Sequence, residues 1–118
     1  MGYIYLIQLA SFVNEGINIY KVGMTEQYNL HNRLRSYDRG YLNVYSLNVD
    51  DPIKLEKVIL KIFNDKFIRY NEGDYKQTKE YFKGDKSSMI KVINDVCLPK
   101  IDKEKDKAVG WGWKLLGY

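Results

Sequence analysis

Residues 2–10 read GYIYLIQLA and residues 17–24 read INIYKVGM. The first stretch is dense in β-branched and aromatic residues. It alternates Tyr3, Tyr5, Ile7 and Leu9 against Ile4, Leu6 and Gln8, which predicts a strand with two distinct faces. The second predicts another strand. Between them, Ser11 to Gly16 carries Asn14 and Gly16, residues with turn chemistry, so a β-hairpin is the simplest link. Leu30, Leu34 and Tyr37 are spaced for a helix over 30–37. Arg39-Gly40 then breaks the chain before a third strand, Leu42 to Val49.

Asp51 before Pro52 is an N-cap followed by proline at the first helical position, and this predicts a helix to about Phe67. Its apolar stripe holds Ile59, Leu60, Phe63 and Phe67. The polar stretch from Arg69 to Lys79 reads as a loop and Tyr81-Phe82 as a short apolar anchor. Asp85 to Val96 reads as a last helix with Met89, Ile90 and Ile93 turned inward. The expected architecture is α+β (α/β): a small, mainly antiparallel three-stranded sheet flanked by helices. One domain spans 1–98, and 99–118 form a charged and aromatic tail that starts at Pro99 and ends near Trp111 and Trp113.

Composition narrows the class. The chain has 118 residues, 45% of them apolar and 29% charged, which suits one ordinary globular domain. No stretch approaches the ~20 apolar residues of a membrane span, and no secretion signal is evident. The single cysteine, Cys97, cannot form an internal disulfide, and it reads as a buried apolar filler. An intracellular setting is therefore expected, in the cytoplasm of a cell or host. Nineteen Lys and Arg against 15 Asp and Glu give a net charge of +4, which permits a polyanionic partner without requiring one. Eleven tyrosines exceed the needs of a core, so some should line a wet surface.

Glu56 is the first residue that the fold does not explain, because it shares a helix face with Ile59, Leu60, Phe63 and Phe67. A carboxylate there must meet a cation, reach water or hold a metal; the ordinary alternative is compensation of the helix dipole from the first turn. Arg33 and Tyr37, four residues apart, project together from their helix, where a salt-bridge partner and a core tyrosine are the ordinary readings. His31, the only histidine, reads as a surface residue. Gly23 reads first as a turn glycine.

Taken in order, YIYLI, YKVGMT, NRLRSY and LEKVILKIF resemble the GIY-YIG nuclease family over residues 2–82. The short viral and phage branch is the most similar, in which KVG replaces YIG and a string such as Glu80-Tyr81-Phe82 closes the module. The resemblance implies that Tyr5 is the tyrosine of the first motif and Gly23 the glycine of the second, with Lys21 in place of the second motif's tyrosine. It further implies that Arg33 is the catalytic arginine, Tyr37 the tyrosine or histidine four residues later, and Glu56 the metal-binding glutamate. The loop from Gly23 to Arg33 is longer than in the repair and homing members, which leaves Arg35 as the alternative register. Asn71 stands loosely for a downstream asparagine.

The implied activity is Mg²⁺-dependent (or Mn²⁺-dependent) endonucleolytic hydrolysis of DNA, double-stranded or branched, with the oligomeric state left open. The residue types suit that chemistry. Glu56 offers hard oxygen to Mg²⁺, and Arg33 offers two donors to the scissile phosphate. Tyr5 would face the nucleophile, with Lys21 favouring its phenolate. Gly23 would let the DNA backbone come close, and Arg35, Arg39, Lys66 and Arg69 would hold flanking phosphates, the ordinary reading of these scattered cations being solubilising surface charge. Two other readings stand beside this one: a nucleic-acid-binding domain that keeps the fold without cleaving, and a small interaction protein docking through Trp111 and Trp113.

Overall fold

The computed structural model describes residues 1–75 and 78–98; the tail 99–118, including the docking role considered for Trp111 and Trp113, lies outside the described residues. The elements follow in the order β1 (Gly2–Gln8), α1 (Ala10–Glu15), β2 (Ile19–Thr25), α2 (Leu30–Leu34), β3 (Leu42–Val49), α3 (Pro52–Lys66), β4 (Ile68–Arg69), a 3₁₀ turn (Gly73–Tyr75), β5 (Tyr81–Lys83) and α4 (Lys86–Cys97). The strands form a single antiparallel sheet in the order β3-β1-β2-β5-β4. The α+β class stands as expected, but the sheet has five strands, not three. The two additional strands, β4 and β5, are two and three residues long, too short to display a period of two in the sequence.

The link between β1 and β2 also differs from expectation. Ser11 to Gly16 is no tight turn, because Ala10–Glu15 is helical and ends at Gly16 in the left-handed conformation, φ 68°. Phe12 from this helix is buried, and that apolar contact favours a helical turn over a two-residue hairpin. The strands still pair antiparallel, with Tyr5 opposite Gly23 and Ile7 opposite Lys21.

Alternation then sorts the sheet into two faces. Ile4, Leu6, Tyr20, Val22 and Phe82 lie in the main core with Ile59 and Phe63 of α3 and Met89, Val92 and Ile93 of α4. Both helices start as their sequences require: the Asp51 carboxylate accepts the Lys54 N–H, and the Asp85 carboxylate accepts the Ser88 N–H, each satisfying an orphan donor of a first turn. Cys97 packs at the margin of this core, half-buried rather than buried, and burial pushes its thiol up. Tyr5, Ile7 and Leu34 form a second, smaller cluster on the opposite face. That second face carries the polar side chains described next.

Candidate active site

The pairing register puts Tyr5 across from Gly23 and Lys21 one pair further along the same face. Gly23 is an interior residue of β2, so the turn reading does not apply to it. A Cβ built on Gly23 would stand 2.6 Å from the Tyr5 hydroxyl and 2.6 Å from its Cζ, far inside contact distance. The space left by the missing side chain is therefore filled by the phenol of Tyr5, and the close approach expected of a DNA backbone is made by a tyrosine ring instead.

Laid over Gly23, Tyr5 presents its hydroxyl to two partners. Arg33 Nε donates to it at 3.3 Å, and the Tyr37 hydroxyl shares a hydrogen bond with it at 3.1 Å. Arg33 comes from α2, whose N-cap Asn29 accepts the His31 N–H. The helix is shorter than the expected 30–37: it closes at Leu34, and tighter bonds from Ser36 N–H to Arg33 C=O and from Tyr37 N–H to Leu34 C=O carry the chain onward. Those tighter turns still deliver Tyr37 to the same side as Arg33. Lys21 Nζ lies 5.5 Å from the centroid of the Tyr5 ring, 5.4 Å from that of Tyr37, and 3.1 Å from a carboxylate oxygen of Glu80. Glu80 precedes β5, and its backbone carbonyl accepts the Val22 N–H, which anchors it beside β2.

The electrostatics follow from burial and these neighbours. Lys21 is 7% exposed. Burial alone would lower its pKa, but the phenols of Tyr5 and Tyr37 and the Glu80 carboxylate outweigh that cost and hold the ammonium charged. Hydrogen bonding to Tyr5 likewise strengthens the Arg33 cation. Tyr5 itself moves the other way from expectation. Burial raises its pKa; Lys21 and Arg33 pull it down, Tyr37 pushes it up, and the net direction is upward. The cation assists the phenolate, as its sign requires, yet desolvation wins, since the Tyr5 side chain has no exposed surface. A direct approach of a nucleophile to Tyr5 is thus closed, and the half-buried Tyr37 and Arg33 form the accessible edge of the cluster.

Glu56 sits in the second turn of α3, beyond the first-turn position that dipole compensation requires. Burial and the like charge of Glu80 push its carboxyl up to about 7, against the pull of Lys21 and Arg33. These mutual influences join α3 to the sheet-face cluster and add Glu80 to it. In the sequence Glu80 stands out only as part of the closing Glu80-Tyr81-Phe82 string; a lysine buried on β2 is the signal that a carboxylate partner had to exist.

Tyr5, Lys21, Gly23, Arg33 and Tyr37 are therefore brought together, with Glu56 and Glu80 within electrostatic reach. Arg35 and Asn71 are not. Arg35 is exposed and donates to the Asn32 side chain, and Asn71 is exposed beyond β4 with no side-chain hydrogen bond to the cluster among the described residues. Arg69 is engaged with the Thr78 carbonyl. No group of three or more His, Cys, Asp or Glu side chains that could hold a metal ion occurs among the described residues, and no helix among them is long and apolar enough to cross a membrane.

Fold and site together define a small α+β domain with a phenol, guanidinium and carboxylate cluster on one sheet face. The chain belongs to the T5orf172 domain family, whose model matches residues 2–97. No curated protein and no solved structure matches the chain.

Proposed function

We propose that this protein is a Mg²⁺-dependent DNA endonuclease of the GIY-YIG type. Membership of the T5orf172 family is consistent with a nuclease-like or DNA-binding domain. The observation that carries the finer reading is the meeting of Arg33, Tyr5 and Tyr37 through two hydrogen bonds on a face that also holds the Lys21–Glu80 ion pair, with Glu56 of α3 within electrostatic reach. Two cations near one anion-binding edge suit a phosphodiester, and a guanidinium that already spends Nε on Tyr5 keeps its two terminal nitrogens for phosphate oxygens.

The residues present fit Mg²⁺. This ion takes one or two carboxylates and completes its shell with water and phosphate oxygen, so Glu56 with Glu80 suffices where an all-protein cage would not be expected. A carboxyl raised to about 7 by burial and a like charge is also a group that an incoming cation would relieve. Bound there, the ion would supply charge neutralisation at the phosphate and its leaving oxygen. Arg33 binds and orients the scissile phosphate. Tyr5, wholly enclosed, positions Arg33 and Tyr37 from behind. Tyr37 is the phenol that meets solvent: its oxygen accepts a hydrogen bond from the attacking water and orients it, while its own proton is donated to the Tyr5 oxygen. Lys21 holds Glu80 in place and keeps the site cationic.

A second reading, a nucleic-acid-binding domain that does not cleave, is favoured by the full burial and upward shift of Tyr5. Incubating supercoiled plasmid with the protein and Mg²⁺, with and without chelator, decides between them. Nicked or linear product only without chelator supports the endonuclease. Retarded but intact plasmid under both conditions supports the binding domain.

A further inference from the structure

Beyond the cluster, the same sheet face continues to Tyr3, which pairs with Thr25 on β2 and Asn48 on β3. Tyr3 stands two residues along β1 from Tyr5, about 7 Å away. A cavity of about 470 Å³ opens there, lined by Tyr3, Glu26, Gln27, Tyr28, Asn29 and Asn48 together with the chain start. This volume falls within the ~300–1,000 Å³ typical of small-ligand clefts. Tyr28 is 94% exposed, so its ring contributes nothing to the core, although it is among the largest apolar surfaces a chain can carry.

The chemistry of the lining selects its ligand. Among the described residues no lysine, arginine or histidine side chain lines the cavity, and Glu26 would repel a phosphate. The side chains of Gln27, Asn29 and Asn48 each offer both donors and an acceptor, the pattern that matches a base edge. Asn29 commits its carbonyl oxygen to the His31 N–H, which leaves its amide hydrogens to donate. Tyrosine rings supply a stacking surface for any base. Position adds to this: Asn29 caps α2, the helix that carries Arg33, so the cavity rim and the Arg33 Cα are separated by about one turn of helix, ~6 Å along its axis.

We propose that this cavity binds an unpaired nucleobase next to the phosphate held by Arg33, stacking it on Tyr28 and Tyr3 and reading its edge through the carboxamides. This rests on the DNA-directed reading above and deepens it: the favoured substrate is a branched, bulged or single-stranded junction rather than perfect duplex. Extrusion of a base from intact duplex costs stacking and pairing, whereas a base already unpaired pays little.

The test uses the full chain in chelator, so that binding is measured without cleavage. Three labelled DNAs are compared: a duplex, the same duplex with one bulged 2-aminopurine nucleotide, and the same duplex with an abasic bulge. The wild type should bind the base-containing bulge roughly tenfold or more tighter than the abasic one and alter 2-aminopurine fluorescence. Tyr28→Ala and Asn48→Ala should reduce that difference while leaving duplex affinity unchanged, and Tyr28→Phe, which keeps the ring, should retain most of it. Since both residues are exposed, neither alanine variant threatens folding. Duplex binding by a wild type that does not distinguish base from abasic bulge would overturn the pocket while sparing the DNA reading, as would a preference that persists in both alanine variants. No binding to any of the three DNAs would overturn both.

Discussion

At the scale of single residues, the hydrogen bond from Arg33 Nε to Tyr5 joins Arg33 to the cluster, whereas Arg35 donates to Asn32 away from it. It also defines what a substitution does. Arg33→Lys keeps the charge but loses both the bond to Tyr5 and the planar two-point contact with phosphate, so it should reduce cleavage nearly as far as Arg33→Ala, by about 100-fold or more. Arg35→Ala should stay within a few-fold of wild type. Single-turnover cleavage of a labelled duplex checks both, and a dead Arg35 variant beside an active Arg33 variant would reverse the assignment. Lys21 illustrates why a residue's role cannot be taken from its charge alone. Its pull on Tyr5 has the expected sign, but the same burial that brings the two together raises the phenol's pKa by more.

At the scale of elements, the β1–β2 register is what builds the site, since one residue of slip would send Tyr5 into the main core and Leu6 to the polar face. Gly23 is tightly constrained by this register. An alanine Cβ would meet the Tyr5 ring tip at 2.6 Å, and that ring, enclosed on all sides, has nowhere to retreat without breaking its bonds to Arg33 and Tyr37. Gly23→Ala should therefore cost about 1–3 kcal/mol of stability and abolish cleavage. Because the clash lies between two named side chains, Tyr5→Leu combined with Gly23→Ala should be markedly less destabilised than the sum of the single variants. Additive losses in urea melts would show that Gly23 is needed for the strand itself rather than for Tyr5.

At the scale of the whole molecule, Glu56 ties stability to pH. Its carboxyl is raised to about 7 in the folded protein, against about 4.3 in an unfolded chain. The folded state therefore binds the proton more tightly. Stability from this group is fully present below pH ~4 and falls as pH rises through the folded value near 7. Glu56→Gln should remove that slope and melt higher than wild type at pH 8 by a few degrees, corresponding to about 1–2 kcal/mol after allowance for solvent screening of a half-buried group. It should also eliminate cleavage. Mg²⁺ should raise the melting temperature of the wild type at pH 8 and scarcely at pH 5.5, because a protonated carboxyl competes with the ion and ligand binding stabilises only the state that binds. Equal Mg²⁺ responses in wild type and Glu56→Gln would place the ion elsewhere.

Much of this molecule is determined locally. The alternation in β1, the Asp51-Pro52 start of α3 and the apolar stripes of α3 and α4 each follow from the geometry of one element, and all can be read along the chain. The ordered strings likewise point to Tyr5, Lys21, Arg33, Tyr37 and Glu56, since each is a residue type with a place in a pattern. Other features are created only by distant segments meeting. Strands β4 and β5 are too short to carry a pattern and exist because β2 offers an edge to β5, which in turn pairs with β4. α1 replaces a hairpin turn because Phe12 finds a buried site. Glu80 acquires meaning only when Lys21, fifty-nine positions earlier, is buried beside it. The direction of the Tyr5 shift is likewise tertiary, because desolvation depends on what covers a group and not on its neighbours in sequence. Residue type and order thus singled out the groups of the proposed site, whereas enclosure and pairing, properties of the folded surface alone, decided which of them faces water and which stands behind it.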